Sequence, residues 1–370
     1  MKSLLVIALL LAVIKPAFAQ QTDNWFSYYN VKKDLYGFKD KQGTIKIAPR
    51  FNTLLRANVF RNIIAVTDEH RLKSYYLLKN GKQVGNDSLY VWDMTYDCEQ
   101  EGKIRFRDPK TDKVGFFGAN GEVVIPAMFS DAEPFYNGLA VVLYNGKRVC
   151  SDGKPIDDSS NPCEHWYWNG ITALINSKGN IIADSLDITR LENLNWYSLQ
   201  ISNQPADTTL QVSLKTKDGH YYSFINYEKE FRQWFYQHYL TYAKSGKTID
   251  NFELICVEGL FKQQLRKFYS RKAFQNTYHN LLLKKLQPIK AKWADVQIGI
   301  EQLNPLTYTQ KAFSAYYTDC GEANEDKYPS FDVIVPYYDQ NRQLNYQEHY
   351  SFLRTASGYK LIAVFWKNSK

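Results

Sequence analysis

Residues 114–129 read VGFFGANGEVVIPAMF, and residues 36–51 read YGFKDKQGTIKIAPRF. Aligned, the two stretches agree at the start, the middle and the end, with only the proline displaced by one position. The separation is 115 − 37 = 78 residues, or two units of 39, which indicates an internal repeat. The signature residues are Tyr36, Gly37, Phe38, Gly43, Pro49 and Phe51 in the first copy and Gly115, Phe116, Gly121, Pro126 and Phe129 in the second.

Each copy predicts a β-hairpin. An apolar strand leads into a polar pair and a glycine, which tolerates the positive φ of a tight turn, and a second strand ends at the proline. Weaker copies stand at residues 75–84, 147–156 and 172–182, where the spacing shrinks. One such unit cannot bury its apolar face alone, so the copies predict a stacked array.

This pattern resembles the WG-repeat family, whose units run roughly W/Y-G-[FY]-[ILV]-D-x-x-G-x-x-V-I-x-P-x-[FY]. The resemblance covers roughly residues 25–215, with Tyr36 and Val114 at the signature tryptophan position. The family implies a β-repeat interaction module with no shared catalytic residues. We therefore expect an all-β repeat array of antiparallel hairpins, propeller- or solenoid-like, over residues 20–218.

The pattern changes after Gly219, and residues 219–370 predict an α+β domain. Helical spacing covers residues 226–244 and 258–286, and strands are predicted at 296–300, 308–317, 331–338, 346–354 and 359–365. Helices followed by antiparallel strands resemble the cone-like fold of the nuclear-transport-factor-2-like superfamily. That fold implies a pocket between helix and sheet.

The first 19 residues predict a secretory signal peptide. A positive start precedes the apolar run SLLVIALLLAVI, and a small-x-small site ends at Ala19. We therefore expect a periplasmic or secreted protein with no membrane span. Loss of Lys2 and Lys15 lowers the net charge from +8 to +6, and export makes nucleic acid an improbable partner.

Five cysteines are present, and in an oxidising compartment some of them can pair. Cys150 and Cys163 flank a turn-rich stretch and predict a local disulfide, with two free thiols as the alternative. An odd total leaves at least one thiol unpaired. There is no C-x-x-C motif or Cys/His cluster, so the sequence favours no zinc or other metal site.

The aromatic cluster His165, Trp166, Tyr167 and Trp168 predicts a binding platform for a sugar or peptide, and core packing is an equal alternative. His238 and His279 lie on predicted helices without a partner carboxylate fixed by spacing, so packing roles are favoured over catalysis. The acidic loop DCGEANED lacks EF-hand spacing and favours a solvated turn over a calcium site. The basic stripe from Lys262 to Lys272 favours an ordinary solvated helix face.

Together these patterns predict a non-catalytic binding protein of the bacterial envelope that acts through its β repeats. The expected partner is a protein or an envelope polymer, with no cofactor, no metal and no catalytic residues. The alternative is an enzyme or small-ligand carrier that uses a pocket in the C-terminal domain. A third interpretation is a structural component of the cell surface with no small ligand.

Overall fold

The computed structural model describes residues 23–92, 94–154, 156, 163, 165–246, 251–259, 266–289 and 296–367. The predicted signal peptide, residues 1–19, and Lys262 of the predicted basic stripe lie outside the described residues. The structure is 48% strand and 13% helix, with several antiparallel sheets. The prediction of a mostly β chain built from antiparallel strands is therefore confirmed.

The strands of the repeat region pair antiparallel with their neighbours. They form a sheet from β1 to β7, a sheet of β10–β12, a sheet of β13–β16, a sheet of β17–β19 and the small pair β8–β9, and no closed barrel forms among the described strands. Their bounds are β1 (Trp25–Asn30), β2 (Leu35–Lys39), β3 (Ile45–Phe51), β4 (Val59–Phe60), β5 (Ile63–Asp68), β6 (Lys73–Leu78), β7 (Gln83–Val84), β8 (Val91–Trp92), β9 (Thr95–Tyr96), β10 (Lys103–Asp108), β11 (Lys113–Gly118), β12 (Val123–Phe129), β13 (Asp131–Ala132), β14 (Leu139–Cys150), β15 (Trp166–Asn176), β16 (Ile181–Ala183), β17 (Leu194–Ser202), β18 (Gln211–Lys215) and β19 (Tyr221–Asn226).

One turn geometry recurs along this region. In the second strong copy the amide of Gly118 donates to the carbonyl of Glu122 at 2.8 Å, and the amide of Gly121 donates back to the carbonyl of Gly118 at 2.9 Å. The φ angles of the turn glycines lie between 75° and 90°, a left-handed conformation that glycine adopts without a Cβ clash. The turn glycines are Gly43, Gly81, Gly121, Gly153, Gly179 and Gly219.

Gly115 on β11 lies opposite a bulge in β12. Val114 pairs with Phe129 and Phe116 pairs with Ile125, so β12 advances four residues while β11 advances two. The first copy has the same register around Gly37, with the pairs Tyr36–Phe51 and Phe38–Ile47. The prolines lie inside the bulge, where the ladder does not require their missing N–H.

The bulged strand passes very close to both glycines. A Cβ on Gly115 would lie 2.6 Å from the carbonyl oxygen of Ile125 and 2.7 Å from the nitrogen of Ala127, and one on Gly37 would lie 2.5 Å from the oxygen of Ile47. Real Cβ atoms do not approach backbone this closely. Gly37 and Gly115 therefore occupy equivalent settings, and the missing side chain makes room for the bulge.

The weaker copies keep the glycine of the turn. At the strand position that Gly37 and Gly115 occupy in the strong copies, they carry a residue with a side chain. Tyr75 and Ala173 stand six residues before their turn glycines, as Gly37 and Gly115 do. The predicted copy at 147–156 needs a correction. Its turn at Gly153 forms, but residues 147–150 are the end of β14, so this hairpin belongs to the connection between β14 and β15.

The signature apolar residues form the cores between the repeat strands. Phe38 and Phe51 are fully buried in one cluster, and Phe116, Ile125 and Phe129 are buried in the next. On β11 both faces are packed, because Phe116 lies in this cluster and the neighbouring Phe117 lies in another cluster with Tyr76 and Phe106.

The helices follow the last repeat sheet directly. α1 (Tyr227–Trp234), a π-helical turn (Phe235–Tyr239) and α2 (Leu240–Lys244) run in sequence after β19. The boundary predicted between residues 218 and 219 lies in the turn between β18 and β19, which pair with each other. The side chain of Asn226 caps α1 by accepting from the amide of Lys229.

The remaining strands form one sheet, named here the C-terminal sheet, with α3 (Arg271–Leu286) packed against it. Its order is β21-β20-β25-β24-β23-β22, with β20 and β25 parallel and the other pairs antiparallel. The strands are β20 (Leu254–Glu258), β21 (Arg266–Ser270), β22 (Gln297–Glu301), β23 (Ser330–Tyr338), β24 (Leu344–Thr355) and β25 (Gly358–Phe365).

Two predictions for this region are wrong. The helix predicted over 258–286 begins only at Arg271, because Ser270 caps it there and residues 266–270 pair with β20 as a strand. The strand predicted over 308–317 contains instead a 3₁₀ helix, Lys311–Tyr316. Its aromatic residues pack over the end of the sheet with Phe252 and Ile362 rather than alternating between two faces.

A segment of the C-terminal region packs against the repeat sheets. This segment, residues 317–328, is named here the docked loop. Cys320 forms a disulfide with Cys98, with the Cα atoms 6.3 Å apart. The carbonyl of Asp319 accepts from the amides of Asn58 and Val59 at 2.8 and 2.9 Å. The bridge closes a loop of 222 residues, which in the chain-entropy model stabilises the fold by about 5 kcal/mol.

We predict that Gly115→Ala destabilises the protein by about 1–3 kcal/mol, because its Cβ forces the bulged strand outward. The matched control is Gly299→Ala on β22, where a Cβ meets no atom within 4 Å. That change should be neutral or stabilise slightly, because alanine has less unfolded-state freedom than glycine. Urea unfolding of both variants checks this, and equal stabilities would contradict the close-approach argument.

Candidate functional site

The predicted platform lies on an arm that extends beyond its sheet. This aromatic arm consists of residues 147–150 of β14 and 166–169 of β15, which pair antiparallel. The register breaks between Tyr144 and Lys147, where Gly146 and Gly170 cross closely. A Cβ on Gly170 would lie 2.7 Å from the Cα of Gly146, so only glycines allow the two strands to cross there.

A disulfide fastens the end of the arm. Cys150 and Cys163 are bonded, with Cα atoms 5.8 Å apart, so the structure joins the two cysteines that the sequence paired. Cys150 lies directly opposite Trp166 in the strand register. The bridge therefore restrains the strand that carries the aromatic residues. Cys256 is the one free, buried thiol among the described cysteines.

Trp166 and Trp168 lie on one face of the arm around an arginine. Their rings meet edge to face with centroids 5.5 Å apart. The guanidinium of Arg148 lies 4.9 Å from one ring centroid and 5.0 Å from the other, within the range of a cation–π interaction. Arg148 also donates to Asp112 at 2.7 Å, so its position is fixed from both sides.

The arm is exposed rather than part of the core. Trp166 is 42% exposed and Tyr167, on the opposite face, is 51% exposed, while Trp168 is half-buried. His165 is exposed, and its carbonyl accepts from the amide of Ser151. Trp166 and Tyr167 therefore lie outside the hydrophobic cores of the described residues.

The acidic loop is not a solvated turn, because it is the docked loop. Arg61 binds the carboxylate of Asp319 with two hydrogen bonds, and Arg56 forms an ion pair with Glu322. The hydroxyl of Tyr227 donates to the carbonyl of Asp326 at 3.0 Å. Across the described residues no group of three or more His, Cys, Asp or Glu side chains is arranged to hold a metal ion.

A cleft separates the docked loop from the repeats. One part is a cavity of about 160 Å³ beside Arg105, whose guanidinium donates to Asp97 at 2.6 Å and lies 4.2 Å from the ring centroid of Tyr90. Burial raises the pKa of Asp326 to about 6, and the side chains of Tyr136 and Trp196 offset only part of this effect. Asp326 thus titrates well above the ordinary range of an aspartate, and burial also raises the pKa of Glu133 and Glu325 beside it.

Neither helical histidine forms a catalytic pair. His238 is exposed on the π-helical turn, and the Nδ1 atom of His279 is buried with no hydrogen-bond partner among the described residues. Two other histidines do face a carboxylate: Nδ1 of His220 lies 3.2 Å from Oδ1 of Asp218 in an exposed turn, and Nδ1 of His349 on β24 lies 3.4 Å from Oδ2 of Asp332. The space between helices and C-terminal sheet is filled by aromatic and aliphatic side chains.

Comparison with known proteins bears on the repeats. A family model described as WG containing repeat matches residues 115–147, which run from Gly115 through β12 into the start of the aromatic arm. The WG repeat predicted from sequence is therefore confirmed for this copy. No curated protein matches the chain.

Solved structures of Kluyveromyces lactis Hsv2 are similar at low identity. One shares 10% identity with a TM-score of 0.23, covering 87% of this chain and 92% of that chain. Another shares 13% identity with a TM-score of 0.21, covering 88% and 93%. TM-scores of this size do not indicate a shared fold. Within the described part of the chain, no helix is both long enough and apolar enough to cross a membrane.

Sequence reasoning missed the docked loop and the pair His349–Asp332. Cys98 and Cys320 are 222 residues apart, and no spacing rule joins cysteines at that distance. His349 and Asp332 lie on neighbouring strands, and only their register brings them together. The alternation of apolar and polar residues in FDVIVPYY and YSFLR predicts the two strands, but it does not predict that His349 and Asp332 face each other.

We predict that Asp326→Asn stabilises the protein at pH 7 by about 2 kcal/mol, because it removes a buried charge. The folded state holds this proton up to about pH 6, and the unfolded chain releases it near its ordinary value of 3.8. The folded state therefore binds more protons between these values, and the free energy of unfolding falls as pH rises through this window.

Urea unfolding between about pH 4 and pH 7 measures this effect, and the slope should be smaller in the variant, which keeps the contributions of Glu133 and Glu325. The matched control is Glu322→Gln, an exposed carboxylate of the same loop that pairs with Arg56. It should give no stabilisation. A lower stability of Asp326→Asn at pH 7, or an unchanged slope, would show that Asp326 does not carry a buried charge.

Proposed function

We propose that the protein is a non-catalytic binding protein of the bacterial envelope that holds a partner protein through its β repeats. The repeat sheets, in a propeller- or solenoid-like array, present the aromatic arm as the contact surface. The observation that carries the proposal is the exposed group of Trp166, Tyr167, Trp168 and Arg148.

The composition of the arm favours a protein partner over a polymer. Tryptophan, tyrosine and arginine are the residues that most often dominate the binding energy of protein interfaces. The edge-to-face rings of Trp166 and Trp168 do not offer the flat, coplanar surface that would stack successive sugars. A partner with an apolar pocket for an indole ring fits this surface.

The arm is also held in place before binding. The Cys150–Cys163 disulfide, the Gly146–Gly170 crossing and the stacked guanidinium of Arg148 all restrict its conformations. A surface that is already ordered loses less conformational entropy on binding. Rigid aromatic side chains therefore support recognition at low entropic cost.

Export is part of the proposal. The N-terminal pattern predicts a signal peptide, and two disulfides join four of the five cysteines. Disulfides persist in the periplasm and outside the cell, whereas the cytosol keeps thiols reduced. Both observations support an envelope location.

We predict that the pair Trp166→Ala and Trp168→Ala weakens partner binding by about 30-fold, the effect of losing about 2 kcal/mol at a hot spot. The bait is the mature chain, residues 20–370, immobilised against envelope extract. A recovered protein is then purified and its Kd measured by calorimetry.

The matched control is Trp92→Ala, since Trp92 is 62% exposed on the β8–β9 hairpin and lies outside the arm. It should bind like the wild type. Recovery of polysaccharide alone, recovery of nothing reproducible, or equal binding by the double variant would each count against a protein-binding arm.

A further inference from the structure

The C-terminal sheet carries a cavity on the face that the helices do not cover. It has a volume of about 460 Å³, which lies within the range of small-molecule sites. Asp332 of β23, Ser351 of β24 and residues 362–365 of β25 line it, and residues 301–304, Thr307 and Tyr308 form its rim. The small side chain of Ala363, in the middle of the sheet, leaves the cavity deep, and a larger side chain there would fill it.

Two rows of side chains form the floor. Strand register places Cys256, Ala363, Ser351 and Asp332 side by side across four strands. The second row, two residues along each strand, contains Glu258, Phe365 and His349. Polar groups therefore lie next to an aromatic ring in one enclosed space.

The charges of the lining do not balance. Among the described lining residues, Glu258, Glu301 and Asp332 contribute three negative charges and Arg266 one positive charge, a sum of −3 + 1 = −2 before His349 is counted. Nε of Arg266 donates to the two carboxylate oxygens of Glu258 at 3.2 and 3.3 Å. Its Nη1 donates to the hydroxyl of Thr307 at 2.7 Å. The guanidinium of Arg266, the one Lys or Arg side chain among the described lining residues, is thus already engaged by Glu258 and Thr307.

Asp332 keeps an open acceptor. Its Oδ2 faces His349, and its Oδ1 accepts no hydrogen bond from the described residues. Burial raises the pKa of the Tyr308 hydroxyl, and the negative charge of Asp332 raises it further. The negative potential of the carboxylate therefore reaches the rim of the cavity.

We propose that this cavity binds a small organic cation, an amine whose ammonium group pairs with Asp332 and whose apolar part lies against Phe365. An ammonium donates three hydrogen bonds, and the hydroxyls of Ser351 and Tyr308 are available as further acceptors. The ring of Phe365 adds an apolar and cation–π contact. This site is separate from the aromatic arm and does not depend on it.

The test uses three probes of one size on the mature chain: benzylamine, benzyl alcohol and benzoate. Calorimetry should give benzylamine a Kd of about 1 mM or tighter, with the other two at least about tenfold weaker. Asp332→Asn should weaken benzylamine by about tenfold or more, because a charge-assisted hydrogen bond becomes a neutral one. Ala363→Leu should abolish binding by filling the floor.

Asp339→Asn, at the far end of β23 and outside the cavity, is the matched control and should bind like the wild type, as should the Trp166/Trp168 double variant. Thermal unfolding verifies that each variant is folded. If Asp332→Asn fails to fold, the Ala363→Leu variant and the comparison of the three probes still test whether the cavity binds an amine. Absence of benzylamine binding at millimolar concentration, equal binding of benzoate or benzyl alcohol, or unchanged binding by folded Asp332→Asn or Ala363→Leu would overturn the proposal.

Discussion

Backbone contact at Gly37 and Gly115 is the constraint on which the repeat sheets depend. At each position a bulged strand passes so close that a single methyl group would displace it. In each copy the bulge holds the proline outside the hydrogen-bonded ladder. The phenylalanine at the end of the bulge, Phe51 or Phe129, is buried in the core. Glycine is thus required here for space, whereas at the hairpin turns it is required for positive φ.

The docked loop couples the repeat sheets to the C-terminal sheet. A disulfide, two arginine–carboxylate pairs and several backbone hydrogen bonds hold it against the strands around Asn58 and Cys98. Two candidate surfaces follow from this arrangement. The aromatic arm extends from the repeats, and the cavity beside Asp332 opens on the face of the C-terminal sheet opposite the α-helices. The two surfaces lie on different sheets and would bind by different chemistry, so either binding proposal can be disproved without affecting the other.

The repeat could be predicted because its signals are local: a glycine, a turn and a proline at fixed spacing. The helical segment over 226–244 was visible for the same reason, through its apolar periodicity. Residues 266–270 were misassigned because an aromatic-basic stretch fits a helix as well as a strand, and only pairing with β20 decides. The exposure of Trp166 could not be predicted, since a tryptophan-rich strand suits a core equally well.

The most direct test of the repeated hairpin is native-state hydrogen exchange at the amides that close its turns. These amides are Asp40, Leu78, Gly118 and Asn176, each bonded to the carbonyl four residues on. Strong and weak copies share one geometry here, so all four amides should be protected well above unfolded-chain rates. Protection at Asp40 and Gly118 with free exchange at Leu78 and Asn176 would contradict a repeated array and leave two isolated hairpins.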